Sequence, residues 1–212
     1  MTDDLIDRLS GDLRPVRGGA VTARLLIALG VGIAVALAGV GLGLGFRRDM
    51  GEAMGSMMFW MKLTYALAFA VLGVWCVERL ARPVGSASRR LPWLAAPAAA
   101  ILVLAIVQLA RAPAAAWRPL IMGHSAMICP WLILAAAVPV FVALIWALRG
   151  LAPTRPRLAG GMAGLAAGGA GAAVYALHCP EAGAPFVAIW YSLGLLSPYV
   201  IGIIAGPRLL RW

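Results

Sequence analysis

The chain has 212 residues, 63% of them apolar and only 12% charged, about half the charged fraction of a water-soluble domain. So few polar side chains cannot cover a water-facing surface. That excludes an ordinary globular enzyme, a free nucleic-acid-binding domain, a disordered chain and a disulfide scaffold. The formal charge of +10 could serve nucleic acid or membrane topology, and the positions of the arginines decide between them.

The first 24 residues predict a cytoplasmic tail, and 25–212 a six-helix transmembrane domain. Within the tail, MTDDLIDRLSGDLRPV places Leu5, Ile6, Leu9, Leu13 and Val16 in one helical arc of about 100°. Asp3, Asp7 and Arg14 lie opposite, with Asp4, Arg8 and Asp12 further around the polar side. Thr2 and the aspartates suit a helix start, and Pro15 discourages continuation. A helix of about 12 residues is marginal alone in water, whereas burying four aliphatic side chains contributes roughly 6–12 kcal/mol before ordering costs. The tail is therefore expected to fold on docking. A membrane-surface helix usually carries a basic polar face, but this one carries four aspartates against two arginines. A partner protein with a basic rim fits it better than the bilayer or the protein's own loops, which stay open as alternatives.

A helix needs about 20 apolar residues to cross a roughly 30 Å hydrocarbon core. Such runs fall at 25–46, 57–77, 92–110, 125–148, 158–177 and 184–205. The first is longer than a signal-peptide core and is read as a retained anchor. An even count puts both termini on one side, which collects Arg8, Arg14, Arg17, Arg24, Arg79, Arg82, Arg89, Arg90, Arg149, Arg155, Arg157, Arg208 and Arg211. Those are 13 of the 18 Lys and Arg residues; Arg47, Arg48, Lys62, Arg111 and Arg118 remain for the other side. The positive-inside rule makes the richer side cytoplasmic. Tryptophans agree: Trp60, Trp117 and Trp131 fall near one boundary, Trp75, Trp93, Trp146 and Trp212 near the other, and Trp190 deeper. The expected class is an all-α membrane protein with six transmembrane helices, both termini cytoplasmic and a short amphipathic N-terminal helix.

Glycines recur at four-residue spacing in the first span (Gly39/Gly43, Gly41/Gly45) and the fifth (Gly160, Gly164, Gly168), which reads as close helix packing. Pro139 and Pro198 are expected to kink the fourth and sixth spans. No acid lies within an expected span, Gln108 is an amide near a helix end, and Lys62 is read as snorkelling to an interface. Transporters place ionisable groups within the membrane, so solute transport is disfavoured. Neither a zinc-protease, a phosphate-loop nor a nucleophile-elbow motif is present. The chain is expected not to be an enzyme.

Cys129 near the start of the fourth span and Cys179 between the fifth and sixth share the outer side. His124 and His178 stand beside them in sequence. Thiolate and imidazole suit zinc, cadmium or copper, and an oxidising compartment would equally permit a disulfide. Cys76, near the opposite end of the second span, reads as ordinary packing.

DDLIDRLSGDLRPV (residues 3–16), YALHCPEAGAPFVAIWYSLG (175–194) and GPRLLRW (206–212) resemble the negative-regulator-of-sigma-F family, NrsF, six-helix bacterial inner-membrane anti-sigma factors. The resemblance spans nearly the whole chain. It implies a cytoplasmic N-terminal segment that holds an extracytoplasmic-function sigma factor at the membrane, carried here by Asp3, Asp4, Leu5, Ile6, Leu9, Asp12 and Leu13. It also implies periplasmic cysteines that respond to heavy-metal or oxidative stress, matching Cys129 and Cys179. His124 and His178 enter as further metal ligands by proximity alone. The expected partners are the sigma factor and the lipid bilayer, with no direct nucleic-acid contact. The expectation is no obligatory cofactor, only a transient heavy-metal ion (cadmium or zinc) or a disulfide at the two cysteines. Two rival readings are a quinone-linked periplasmic thiol oxidoreductase, which would want a CxxC pair absent here, and a small metal or solute transporter.

Overall fold

The computed structural model describes residues 19–82, 85–151 and 153–211. The expected sigma-factor-binding residues Asp3, Asp4, Leu5, Ile6, Leu9, Asp12 and Leu13 lie outside the described residues, as does Trp212. Among the described residues the chain is helical and contains no strand. The elements are α1 (Ala20–Gly43), α2 (Met50–Gly55), α3 (Met57–Leu80), α4 (Ala95–Arg111, entered through a 3₁₀ turn at Leu91–Leu94), α5 (Ala114–Met122), α6 (Cys129–Arg149), α7 (Pro156–Ala176) and α8 (Ala184–Leu209). Six of them are long and apolar enough to cross a bilayer: α1, α3, α4 with its 3₁₀ turn, α6, α7 and α8. This is a multi-pass membrane protein. The short helices α2 and α5 stand between spans, where the sequence had suggested only loops.

Helix α7 is the hub. Every residue from Ala159 to Ala176 is buried, and it packs on α8, α3 and α6. Its composition explains this, because Gly and Ala let neighbouring backbones approach to contact. A methyl group on Gly164 or Gly168 would collide with the carbonyl of Pro198 or Leu195 on α8, and one on Gly160 with Gly202. Gly169 faces Ala66 and Ala70 of α3, while Gly171 faces Ala137 of α6. The expected row in the fifth span is thus a packing seam, and it extends to three neighbours.

The glycine pairs of the first span are not a seam. Gly39 and Gly43 face open space, and Gly41 meets only the Phe46 ring of its own chain segment. Gly32 makes the close approach instead, against Val140 of α6. Four-residue spacing alone does not select the helix face, and α1 presents its other face to the bundle. Gly45 has a different use: its φ of +79° ends α1 in a left-handed turn, with its N–H donating to Val40 O at 3.0 Å.

One end of the bundle gathers arginines. Arg24 lies 5.5 Å from the Trp146 ring, Arg149 Nε donates to Leu209 O at 2.6 Å, and Arg82 pairs with Glu78 at 2.7 Å. Arg90 donates to Trp75 O and sits 3.3 Å from the Glu78 carboxylate. Because α3 runs on to Leu80, Glu78 belongs to its last turn, where two arginines offset the charge. The starts of α1 and α7 and the ends of α6 and α8 meet here. The opposite end carries α2, α5 and both cysteines of interest. At that end the Trp190 Nε1 donates to Ile121 O at 3.0 Å.

Candidate functional site: a buried cysteine pair over a lysine

Cys129 is the first residue of α6, its helix entry set by Pro130 at the following position, where proline lacks only an amide that is unpaired anyway. Cys179 sits just beyond α7, its N–H donating to Tyr175 O at 3.0 Å. Fifty residues apart in sequence, the two meet: both are fully buried, and the Cys129 thiol hydrogen-bonds the Cys179 sulfur. They are free thiols. The Glu181 N–H and the Tyr175 hydroxyl also direct hydrogen bonds at the Cys179 sulfur. The Cys129 and Glu181 N–H donors favour its thiolate, so the Cys179 pKa is lowered from the ordinary thiol value. The Cys129 hydrogen bond is the largest cause; burial opposes it, and the Lys62 charge reinforces it.

Lys62 corrects the sequence reading. It does not snorkel: it is 1% exposed, the only buried charged or polar residue among those described. Its Nζ donates to Cys179 O at 2.7 Å and Glu181 O at 2.9 Å, and lies 5.7 Å from the Tyr191 ring centre. Burying an unpaired ammonium is expensive, and hydrogen bonds from a charged donor recover about 1.5–3 kcal/mol each. A lysine five residues into a helix reads equally well as facing lipid or protein, which is why sequence missed it. An ionisable group at that depth was the available signal.

Below the lysine, α8 makes a π-helical turn at Val187–Tyr191. Such turns free a carbonyl from the helical ladder, and here Ser192 Oγ donates to Val187 O at 3.1 Å while sharing a 2.6 Å hydrogen bond with the Tyr65 hydroxyl. Tyr191, fully buried, donates to Ala172 O at 2.6 Å. The cysteine pair therefore rests on side chains from α3, α7 and α8.

The histidines do not join the pair. The His124 side chain is fully exposed, 3.8 Å from the Glu181 carboxylate. The His178 ring is occupied elsewhere, with Nδ1 2.7 Å from Gly45 O. Among the described residues no three His, Cys, Asp or Glu side chains converge, so the four-ligand shell of a structural zinc site is not built. Two adjacent thiols fit a soft ion held by sulfur alone, or a disulfide. Cys76 is buried on α3 near the arginine-rich end, with Arg90 close enough to act on it electrostatically.

No solved structure matches the chain. Two curated proteins match it end to end. A protein of Azospira oryzae named probable anti-sigma-F factor NrsF is 39% identical over 212 residues, covering 100% of this chain and 99% of its own. The anti-sigma-F factor NrsF of Caulobacter vibrioides is 42% identical over 214 residues, with the same coverage. The family model described as negative regulator of sigma F matches residues 9–212. With six membrane-length helices, full-length relatives and that match, the chain belongs to the NrsF family.

Proposed function

We propose that this protein is an anti-sigma factor of the bacterial inner membrane, with both termini in the cytoplasm, holding an extracytoplasmic-function sigma factor through its N-terminal tail. The full-length similarity to two proteins named anti-sigma-F factors carries this reading. Arginine clustering at the end where α1 begins supports the orientation. The Leu5, Ile6, Leu9 and Leu13 stripe packs into an apolar groove of the sigma factor, and Asp3, Asp4 and Asp12 meet its basic surface. A sigma factor so held cannot reach RNA polymerase. The relatives are regulators by name, so the thiol-oxidoreductase and transporter readings gain nothing from them.

Cys129 and Cys179 are the signal-receiving pair, buried at the periplasmic end of the bundle. Their burial in mutual contact supports that role. Oxidation joins the two sulfurs, releases two protons and passes two electrons to an oxidant such as a peroxide; a soft heavy-metal ion instead displaces the thiol protons. Either event changes how α6 meets the loop after α7. It releases the sigma factor only if the altered state holds the tail less well. Replacing both cysteines with serine tests this: sigma-dependent transcription is expected to lose its response to cadmium and oxidant while basal repression persists. An unchanged response contradicts the sensing role.

A further inference from the structure

Lys62 is unexplained by packing. An ammonium that is 1% exposed is costly even when hydrogen-bonded. Its position answers the question. The two carbonyls it binds, those of Cys179 and Glu181, lie within the loop that presents the Cys179 thiol. Among the described residues it has no carboxylate partner within ion-pair distance, and its charge is felt at both sulfurs. The loop of 177–183 is also tied to the turn after α1, where Arg47 N–H donates to Leu177 O at 3.1 Å and His178 Nδ1 lies 2.7 Å from Gly45 O, and to the end of α7, where Cys179 N–H donates to Tyr175 O. On its far side Glu181 reaches outward to His124 and Ser125, and Ala184 N donates to Gln108 Oε1 at 2.8 Å. Lys62 is the side chain that ties two of the loop's carbonyls to α3.

We propose that Lys62 is a positioning residue of the thiol pair: it clamps the Cys179 backbone so that the Cys179 sulfur stays buried against Cys129, and ties that pair to α3. The inference rests on the reading of Cys129 and Cys179 as the sensing pair. Helix α3 runs from this clamp to the Glu78, Arg82 and Arg90 contacts at the arginine-rich end. It is thus the span through which a shift of the loop reaches the other side of the membrane.

The test uses the full chain in native membrane vesicles. Diamide takes two electrons and two protons from the thiols, becoming the hydrazine as the Cys129–Cys179 bond forms, and maleimide reports on unreacted thiols. Lys62→Met is expected to slow bond formation at least tenfold and to open Cys179 to maleimide in the reduced protein. Lys62→Arg, which keeps a charged donor, is expected to recover most of the rate. Cys76 is the internal control for the fold, since it is buried and lies about 21 Å along α3 from Lys62 at 1.5 Å per residue. If Lys62→Met also exposes Cys76, Lys62→Leu, which likewise donates no hydrogen bond, decides on the same two readouts. Wild-type rate and accessibility in the variant that keeps Cys76 protected would overturn the proposal, as would an arginine variant equally slow with Cys76 protected. A sigma-dependent reporter separates the two ideas. Lys62-dependent bond formation with an unaltered stress response would retain the clamp and reject the sensing role.

Discussion

The Glu181 carboxylate accepts a hydrogen bond from the backbone N–H of His124 at 2.7 Å, with Ser125 Oγ donating to the same oxygen at 3.3 Å. This joins the turn just before α6, whose first residue is Cys129, to the loop that carries Cys179. The joint is close: Gly123 adopts a φ of +50°, and a side chain there would strike the Glu181 carboxylate. One residue's side chain and backbone carbonyl are thus held from opposite directions, by the His124 turn and by Lys62.

Removing that carboxylate should loosen the site without dismantling the bundle. Glu181→Ala is expected to cost about 1.5–3 kcal/mol, the usual range for a hydrogen bond to a charged group. It should also raise maleimide labelling of Cys129 and Cys179 while Cys76 stays protected. Thermal unfolding in detergent with thiol labelling checks both; unchanged labelling would show that the turn holds itself.

The lowered Cys179 pKa gives a pH dependence with a definite sign. The thiolate is the reactive form, and the Cys129 hydrogen bond, the largest cause, stabilises it. Cys179 should therefore react with a small alkylating agent at lower pH than an ordinary cysteine. In Cys129→Ala the donor is lost, the pKa rises and the profile moves to higher pH. A pH–rate profile of alkylation on the two proteins measures this. A shift to lower pH in the variant would contradict the assignment of the donor.

The two glycine rows separate packing from mere spacing. Gly164→Val and Gly168→Val force side chains into the α8 backbone. Overpacking costs typically 1–3 kcal/mol, and more is expected where the clash is with main chain. Gly39→Val and Gly43→Val, facing open space, should leave stability within about 0.5 kcal/mol. Thermal melts of the four variants in one detergent check the contrast.

Much of this architecture is legible in the sequence because hydropathy and charge are local signals. The six spans follow from apolar runs, which place Cys129 near the start of the fourth span, although that helix begins at Cys129 and not at residue 125, and the loop position of Cys179 follows from where the fifth run breaks. What stayed hidden depends on helix rotation and long-range contact. Lys62 could face lipid or protein at the same depth. The first-span glycines share the spacing of the α7 row, yet only α7 is surrounded on all sides. Tyr175 and Glu181 were within the quoted YALHCPE segment, but their convergence on Cys179 arises from the fold of that loop. His124 is the converse case, near Cys129 in sequence with its ring turned fully outward.

The most direct test of the anti-sigma account is to solubilise the protein from its own cells, capture it with and without residues 1–16, and identify bound proteins by mass spectrometry. The account predicts that a sigma factor is recovered with the intact tail. It should be lost on deletion and equally on Leu5→Asp with Leu9→Asp, which places charges in the apolar stripe. A sigma factor retained by the truncated protein, or absent from well-folded intact protein, would contradict it.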